Sequence, residues 1–155
     1  MDKATKKLTI GRFFEDFYVG EKIIHSLSKT IFESDNNFFS LLTMNHHPVH
    51  LNEDYAENEQ HGRIIVVGTL VFSLAVGISV PDVSGKAIAN LEYVRIRHLE
   101  PVFIGDTIYC TSEILGLTPS KTKLDRGIVH VKTVVENQHS KKVLEFERKA
   151  LIKRK

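Results

Sequence analysis

The feature that most constrains this chain is an uncharged stretch at residues 64–80, IIVVGTLVFSLAVGISV. It just reaches the length that can span a bilayer, about 17 residues. Two glycines interrupt it, a proline and an aspartate follow it, and no belt of aromatic or basic residues flanks both ends, so we reject a membrane span. A short helix that is apolar on every side is expected where a sheet wraps around it. The sequence therefore predicts a buried central helix within this stretch.

Strands are predicted on both sides of the apolar stretch. Alternating, β-branched segments indicate one strand before it and four after it, at residues 22–31, 86–99, 106–115, 127–136 and 142–153. The last four are separated by short polar links, at 101–106, 116–126 and 137–140. Links of this length favour an antiparallel meander, because parallel pairing needs long crossovers.

Two short helices are predicted between the first strand and the apolar stretch. Ser34 and Asp35 offer an N-cap and a first-turn acid. The helix that follows them has one apolar face, made by Phe38, Phe39, Leu41 and Leu42. It cannot run through Pro48, so residues 43–50 should be irregular. Asn52 is a suitable cap for the second helix.

Only a sheet curled around the apolar helix buries everything that this order of elements needs to bury. The predicted fold class is therefore α+β, a hot-dog fold with an antiparallel sheet wrapped around a central apolar helix. We expect a single domain over residues 1–155, with flexible ends at 1–12 and 153–155. Such a domain leaves one sheet edge unpaired, so a homodimer or higher homo-oligomer is expected.

Charge and cysteine content exclude several classes of function. The 155 residues include 21 Lys and Arg against 19 Asp and Glu, a net charge of +2, which is too balanced for a nucleic-acid-binding surface. The only cysteine, Cys110, cannot form an internal disulfide, which favours a cytoplasmic location, and we expect it to be buried and inert. Phosphate-loop, dinucleotide-binding and serine-elbow motifs are absent, so we expect no cofactor.

Three blocks of the sequence fall at the predicted element boundaries in the same order as in a known family. The first consists of Phe39, Leu42, Asn45, Pro48, Val49, His50 and Ala56, and the others lie at residues 62–68 and 101–106. Over residues 14–151 the chain resembles the MaoC-like dehydratases, or (R)-specific enoyl-CoA hydratases. The resemblance implies a hydro-lyase acting on an α,β-unsaturated or 3-hydroxy acyl-CoA thioester. The Thr43-Met44-Asn45 segment resembles a subgroup of mesaconyl-CoA and itaconyl-CoA hydratases, which implies a C5 dicarboxylic acyl group.

By its position in the family pattern, His50 takes the role of catalytic acid and base. An imidazole can both accept and donate a proton near neutral pH. Asn45 stands where the family has an acid, and an amide exchanges no proton at neutral pH. Three interpretations stay open: His50 acts alone while Asn45 holds the water; another group such as His47, Asp35 or a neighbouring subunit's carboxylate assists; or the chain binds acyl-CoA with little chemistry.

Gly68 is the third expected catalytic residue. A backbone N–H at the start of a helix is unpaired and lies at the positive end of the helix dipole, where it can stabilise an enolate oxygen. The alternative is a glycine that only packs between helix and sheet. Val67 and Thr69 flank it and, together with His47, are expected to contact the substrate.

Two arginines are candidates for binding the anionic parts of a substrate. Arg63 precedes the apolar helix, and Arg95 shares a strand face with Arg97. A guanidinium binds phosphate or carboxylate through two hydrogen bonds, so CoA phosphates or a substrate carboxylate are possible ligands. The alternative is that these side chains are only solvated.

The remaining histidines give weaker signals. His46, His47 and His50 could suggest zinc, but a proline separates them and no cysteine joins them, so we expect no metal. His61 is expected in the loop before the helix. The others are expected to be ordinary surface or hydrogen-bonded residues: His25, His98, His130 and His139.

Two other functions fit the same fold. An acyl-CoA thioesterase would need a carboxylate that activates water, and Glu53 and Asp54 are the nearest candidates. A non-catalytic acyl-CoA-binding protein would explain the loss of an acid at Asn45.

Overall fold

The computed structural model describes residues 9–155, and it confirms the hot-dog fold. Its five strands are β1 (Lys22–Thr30), β2 (Ala87–His98), β3 (Thr107–Pro119), β4 (Arg126–Asn137) and β5 (Lys142–Lys153). They form one antiparallel sheet in the order β1-β3-β4-β5-β2. The predicted four-strand meander is therefore correct only from β3 to β5. The link at 101–106 does not join neighbouring strands, because β2 pairs with β5 at one edge of the sheet and β1 pairs with β3 at the other.

The central helix, α3 (Gly68–Ser79), lies against the inner face of the sheet and ends in one π turn, Val80–Ser84. It starts four residues after the apolar stretch begins. Residues 64–67 are extended instead, because the Val66 N–H donates to the Val102 carbonyl at 2.8 Å and Ile65 bridges to Phe103. No helix within residues 9–155 has the length and apolar character needed to cross a membrane.

The core consists of two apolar clusters between sheet and helix. One surrounds α3 and includes Ile31, Val71, Ala75, Ile108 and Phe146. The other, at the far end of the sheet, includes Phe14, Phe17, Val83, Ile114 and Ile152. Alternate residues of β4 and β5 point into these clusters, as period-two patterning requires. Each fully buried Val, Ile, Leu or Phe side chain contributes roughly 1.5–3 kcal/mol.

Strand β3 is longer than predicted, because residues 116–119 belong to it and not to a loop. The pairing with β4 shifts register between Ile114 and Gly116, and then continues from Gly116 with His130 to Pro119 with Gly127. A bulge of this kind absorbs one extra residue without ending the ladder. The polar composition of this segment fits the observed exposure at the tip of the hairpin.

Helix α1 (Glu33–Thr43) differs from its prediction in cap and orientation. The N-cap is Phe32 and not Ser34, while Asp35 accepts a hydrogen bond from the Phe32 N–H at 2.9 Å. The apolar residues Phe38, Leu41 and Leu42 are 68%, 63% and 68% exposed, whereas the polar Asn36 and Ser40 are buried. Of the predicted apolar face, Phe39 packs against the core around α3, while the other three residues are turned to the surface.

The next elements follow the prediction. A 3-10 turn at Pro48–His50 lies in the segment expected to be irregular, and α2 (Glu53–Glu57) begins after Asn52. The Asn52 side chain caps α2 by accepting a hydrogen bond from the Tyr55 N–H at 3.0 Å.

Residues near both ends of the described chain make contacts. Arg154 Nε donates to Glu15 at 2.7 Å. Gly11 and Gly85 touch through their backbones: a Cβ added at Gly11 would lie 2.5 Å from the Gly85 carbonyl carbon. Flexible ends at 1–12 and 153–155 stay a prediction; residues 1–8 lie outside the described part, and the Arg154 contact argues against free movement at the other end.

A chain of polar groups, of which Asp82 is partly exposed and the others are buried, joins the π turn after α3 to the sheet. His25 Nδ1 lies 2.7 Å from an Asp82 carboxylate oxygen, and His25 Nε2 lies 2.8 Å from the Ser112 hydroxyl. That hydroxyl is 2.8 Å from Thr133 Oγ1. His25 is thus hydrogen-bonded, as the sequence suggested, and Ser112 is 1% exposed.

Candidate active site

A cavity of about 340 Å³ opens at the start of the central helix. Ile65, Val66, Val71, Pro101, Val102 and Val143 supply its apolar walls. Its polar and backbone groups come from His50, His61, Gly68, His98 and Glu100. Two of the three residues expected to be catalytic, His50 and Gly68, therefore line one cavity.

His50 is held in a defined orientation. It ends the 3-10 turn that Pro48 begins, and His47 caps this turn by accepting a hydrogen bond from the Val49 N–H at 3.2 Å. His50 Nδ1 lies 2.8 Å from the carbonyl oxygen of Ile65. Because a carbonyl only accepts, Nδ1 carries the hydrogen, and in the neutral ring Nε2 is then a free acceptor. That nitrogen is the one suited to take a proton from water.

Gly68 lies where the extended segment turns into α3. The Val67 carbonyl accepts from the Leu70 N–H at 2.9 Å and the Val71 N–H at 3.3 Å, which starts the helix. The Gly68 N–H precedes these bonds and has no hydrogen-bond partner in the part of the chain that the structure describes. A Cβ at Gly68 would lie 2.7 Å from His98 Cε1, so only glycine lets the two residues approach this closely.

Three hydrogen bonds hold the His50 segment against the entry to α3. The Ile65 N–H donates to the Val49 carbonyl at 3.3 Å. Asn36, which is 1% exposed, donates from Nδ2 to the His50 carbonyl at 2.9 Å. Its Oδ1 accepts from the Val67 N–H, also at 2.9 Å. Sequence reasoning missed Asn36, because nothing in its helical spacing distinguishes it from an exposed polar residue.

The structure does not bring Asn45 into the cavity lining. Asn45 is half-buried in the segment between α1 and the 3-10 turn. His47 is exposed, with its ring centroid 6.2 Å from that of His50. Val67 is buried and uses its N–H for Asn36, and Thr69 is exposed outside the cavity. The catalytic and substrate-binding roles of these residues stay predictions.

The arginines also lie outside this cavity. The Arg63 guanidinium stacks on the Phe103 ring, 3.6 Å from its centroid, in an adjacent groove that also includes Glu53. Arg95 lies in a shallow groove with Lys132, Glu145 and Glu147. Arg63 is the nearer of the two to the cavity, because it contacts Phe103 and the preceding residue, Val102, lines the cavity.

The carboxylates considered for a second role are engaged or distant. Asp35 pairs with Lys29 at 2.7 Å, and the hydrogen bond from Lys29 lowers the pKa of Asp35. Glu53 lies in the Arg63 groove, and Asp54 does not line the cavity. Glu100 does line it, and pairs with Lys141 at 2.9 Å.

Two histidines that the sequence did not single out line the cavity. His61 makes an edge contact with Phe103, and His98 lies against Gly68. His98 is exposed, as expected of a surface residue, but its place in the cavity wall was not predicted; the available signal was its position at the end of a strand, just before the 101–106 block. Across residues 9–155, no group of three or more His, Cys, Asp or Glu side chains is arranged to hold a metal ion.

The fold and cavity place this chain among hot-dog domains, and comparison with known proteins specifies the family. The family described as the MaoC-like domain matches residues 16–138, and the chain belongs to that family. This confirms the resemblance seen in the sequence.

Two curated relatives and one solved structure show how far the similarity extends. The chain is 34% identical over 149 residues to a beta-methylmalyl-CoA dehydratase of Chloroflexus aurantiacus, covering 96% of this chain and 42% of that protein. It is 32% identical over 149 residues to a mesaconyl-CoA hydratase of Cereibacter sphaeroides, covering 96% and 43%. A monoamine oxidase regulatory protein of Archaeoglobus fulgidus superposes with a TM-score of 0.82 at 33% identity, covering 94% and 96%. The chain thus spans less than half the length of these two curated relatives.

Proposed function

We propose that this protein is a hydro-lyase that adds water to an α,β-unsaturated acyl-CoA thioester, or removes it from the 3-hydroxy form. One observation carries the proposal: His50, whose Nε2 has no hydrogen-bond partner within residues 9–155, and Gly68, whose N–H has none there either, line the same cavity. The relatives named as a dehydratase and a hydratase of CoA thioesters support it.

In the proposed hydration, His50 Nε2 takes a proton from a water molecule while the water oxygen bonds to the β-carbon. The electrons of the carbon–carbon double bond move toward the thioester carbonyl, and the resulting enolate oxygen accepts a hydrogen bond from the Gly68 N–H. The His50 imidazolium then returns its proton to the α-carbon, so water is added across the double bond. Because Asn45 lies outside the cavity lining, this scheme uses His50 alone for both proton transfers.

The test is turnover of an acyl-CoA panel by the wild type and His50→Gln. Enoyl absorbance should change with the wild type, and kcat should fall by about 10²–10⁴-fold in the variant, because general acid–base catalysis contributes that much. A thiol reagent in parallel assays detects thioester hydrolysis. Thiol release without loss of the enoyl group would replace the proposal with a thioesterase. Binding of acyl-CoA without turnover would favour the non-catalytic alternative.

We further propose a C5 dicarboxylic acyl-CoA as substrate. A branched dicarboxylic acyl group needs cationic or hydrogen-bond-donating partners for its second carboxylate, and we propose His61 and His98, which line the cavity, as those partners. Arg63, in the adjacent groove, is proposed to contact a CoA phosphate. Mesaconyl-CoA should be hydrated with a higher kcat/KM than crotonyl-CoA, and the opposite order would contradict this assignment.

We also propose that a second copy of this chain covers strand β2. Residues of β2 are exposed on both faces, and five of them are large and apolar: Ile88, Leu91, Tyr93, Val94 and Ile96. An exposed edge strand of this kind is a template for pairing with another strand. The greater length of the curated relatives leaves room for a second domain beside the matched one.

The expected cytoplasmic location stays a prediction.

A further inference from the structure

We propose that Asn36 is a positioning residue whose side-chain amide fixes the distance between the His50 imidazole and the Gly68 N–H. This inference rests on the proposed function, because it assigns Asn36 a part in the same reaction without contact to the substrate. Asn36 is on α1, whereas the two groups it connects are on the 3-10 turn and at the entry to α3.

Each polar atom of the Asn36 amide has a partner in the site. Nδ2 donates to the carbonyl of His50 itself, and Oδ1 accepts from the N–H of Val67, the residue directly before Gly68. Both distances are 2.9 Å, which is ideal for hydrogen bonds between amide and carbonyl groups. The amide therefore connects the backbone of the general base to the backbone of the proposed oxyanion site.

A second connection closes the loop between the same segments. His50 Nδ1 donates to the carbonyl of Ile65, two residues before Val67. Asn36 fixes the His50 backbone, and Ile65 fixes the direction of its ring. Because both contacts attach to the short segment 65–67, a change at Asn36 should move the imidazole relative to the Gly68 N–H.

The orientation of α1 indicates that packing alone does not explain this contact. The helix packs Phe39 against the core but exposes Phe38, Leu41 and Leu42, and it buries the polar residue Asn36. Burying an amide is unfavourable unless both of its ends are hydrogen-bonded. The contacts of Asn36 with the site satisfy both ends, so they stabilise this rotation of α1.

Three variants separate positioning from folding. Asn36→Asp keeps an acceptor for the Val67 N–H but loses the donor to the His50 carbonyl. A carboxylate oxygen then lies against that carbonyl oxygen and repels it. Asn36→Ser is neutral and too short to reach both partners. Asn37→Asp is the matched control: the same chemical change one position along α1, at a half-buried residue whose side chain makes no hydrogen bond within residues 9–155.

The kinetic expectation is a selective loss of kcat. A displacement of about 1 Å between reacting groups can reduce the rate about 100-fold, so kcat of Asn36→Asp and Asn36→Ser should fall by roughly that factor. KM should stay within about threefold, since Asn36 does not line the cavity. Asn37→Asp should keep wild-type kcat. Folded Asn36 variants with wild-type kcat would overturn the proposal, as would an equal loss in the Asn37 control.

A spectroscopic measurement tests the positioning without turnover. In ¹⁵N-labelled protein, His50 should show a single tautomer with the hydrogen on Nδ1. The Asn36 variants should show mixed tautomers or faster exchange of that hydrogen, while the signals of His130, which pairs with Glu147, stay unchanged. An unchanged His50 spectrum would overturn the proposal. If the wild type turns over none of the CoA thioesters, the proposed function fails, and this comparison still decides whether Asn36 positions His50.

Discussion

At the scale of single residues, Gly68 and His98 lie against each other in the wall of the cavity. The His98 ring occupies the space where a side chain at position 68 would project, with its Cε1 2.7 Å from an added Cβ. Gly77, nine residues further along the same helix, has nothing within 4 Å of an added Cβ. The two glycines should therefore respond in opposite ways to the same substitution.

We expect Gly68→Ala to lower the free energy of unfolding by about 0.5–1.5 kcal/mol, because the exposed His98 ring must turn away from the new methyl group. In a His98→Ala background the same change should cost less. Gly77→Ala should be neutral or stabilising by up to about 1 kcal/mol, since alanine favours the helix. Urea unfolding of the four variants measures these differences. Equal effects of the two glycine substitutions would show that the contact with His98 has no energetic consequence.

Site residues were predictable where the residue type itself carries the chemistry. His50 was assigned through the family resemblance at a histidine that follows a helix-breaking proline, and Gly68 through the same resemblance together with its place at the start of the apolar helix. The roles of Asn36 and His98 could not be predicted, because their contacts join residues far apart in the sequence. Asn36 contacts residues 14 and 31 positions away, and His98 contacts a residue 30 positions away. Such partners depend on how the elements pack.

At the scale of elements, β3 shows how burial controls a reactive group. Cys110 points inward from β3 into the cluster around α3 and is 2% exposed. Burial raises the pKa of the Cys110 thiol from 9.0 to about 12. The thiol therefore stays neutral in the folded protein, in agreement with the expectation that it is inert.

The raised pKa of Cys110 predicts a loss of stability at high pH. An acid whose pKa is higher in the folded state contributes its full stability below the unfolded pKa, near 9, and loses that contribution as the pH rises toward 12. The advantage of the wild type over Cys110→Ala should shrink by up to about 1.4 kcal/mol per pH unit in this window. Chemical unfolding at pH 7, 9 and 10 measures it. A difference that does not depend on pH would contradict the assignment.

Elements were predictable where one period dominates, and less so where a bulge or a tertiary contact intervenes. Period-two patterning located all five strands, but Gly116 suggested a loop where a bulge continues β3. The apolar residues of α1 were identified, yet only Phe39 packs against the core, while the polar Asn36 is buried and hydrogen-bonded to two neighbouring segments.

At the scale of the whole molecule, the open β2 edge predicts self-association. A lysine in an edge strand opposes strand pairing, so Val94→Lys should convert a dimer into a monomer. Leu124→Lys is the control, because Leu124 is a more exposed apolar residue, at 80% against 45% for Val94, in the loop between β3 and β4. Sedimentation equilibrium gives the mass of each species. A monomeric wild type at concentrations of about 100 µM would contradict the proposed dimer.

The touching backbones of Gly11 and Gly85 have a consequence for how this sequence can vary. A Cβ added at either position would overlap main-chain atoms of the other. At Gly11 it would lie 2.5 Å from the Gly85 carbonyl carbon, and at Gly85 it would lie 2.7 Å from the Gly11 Cα. Main chain, unlike a side chain, cannot rotate aside, so no compensating change at the partner position can restore the space. Under random mutagenesis, glycine should therefore be retained at both positions, whichever residue occupies the other one.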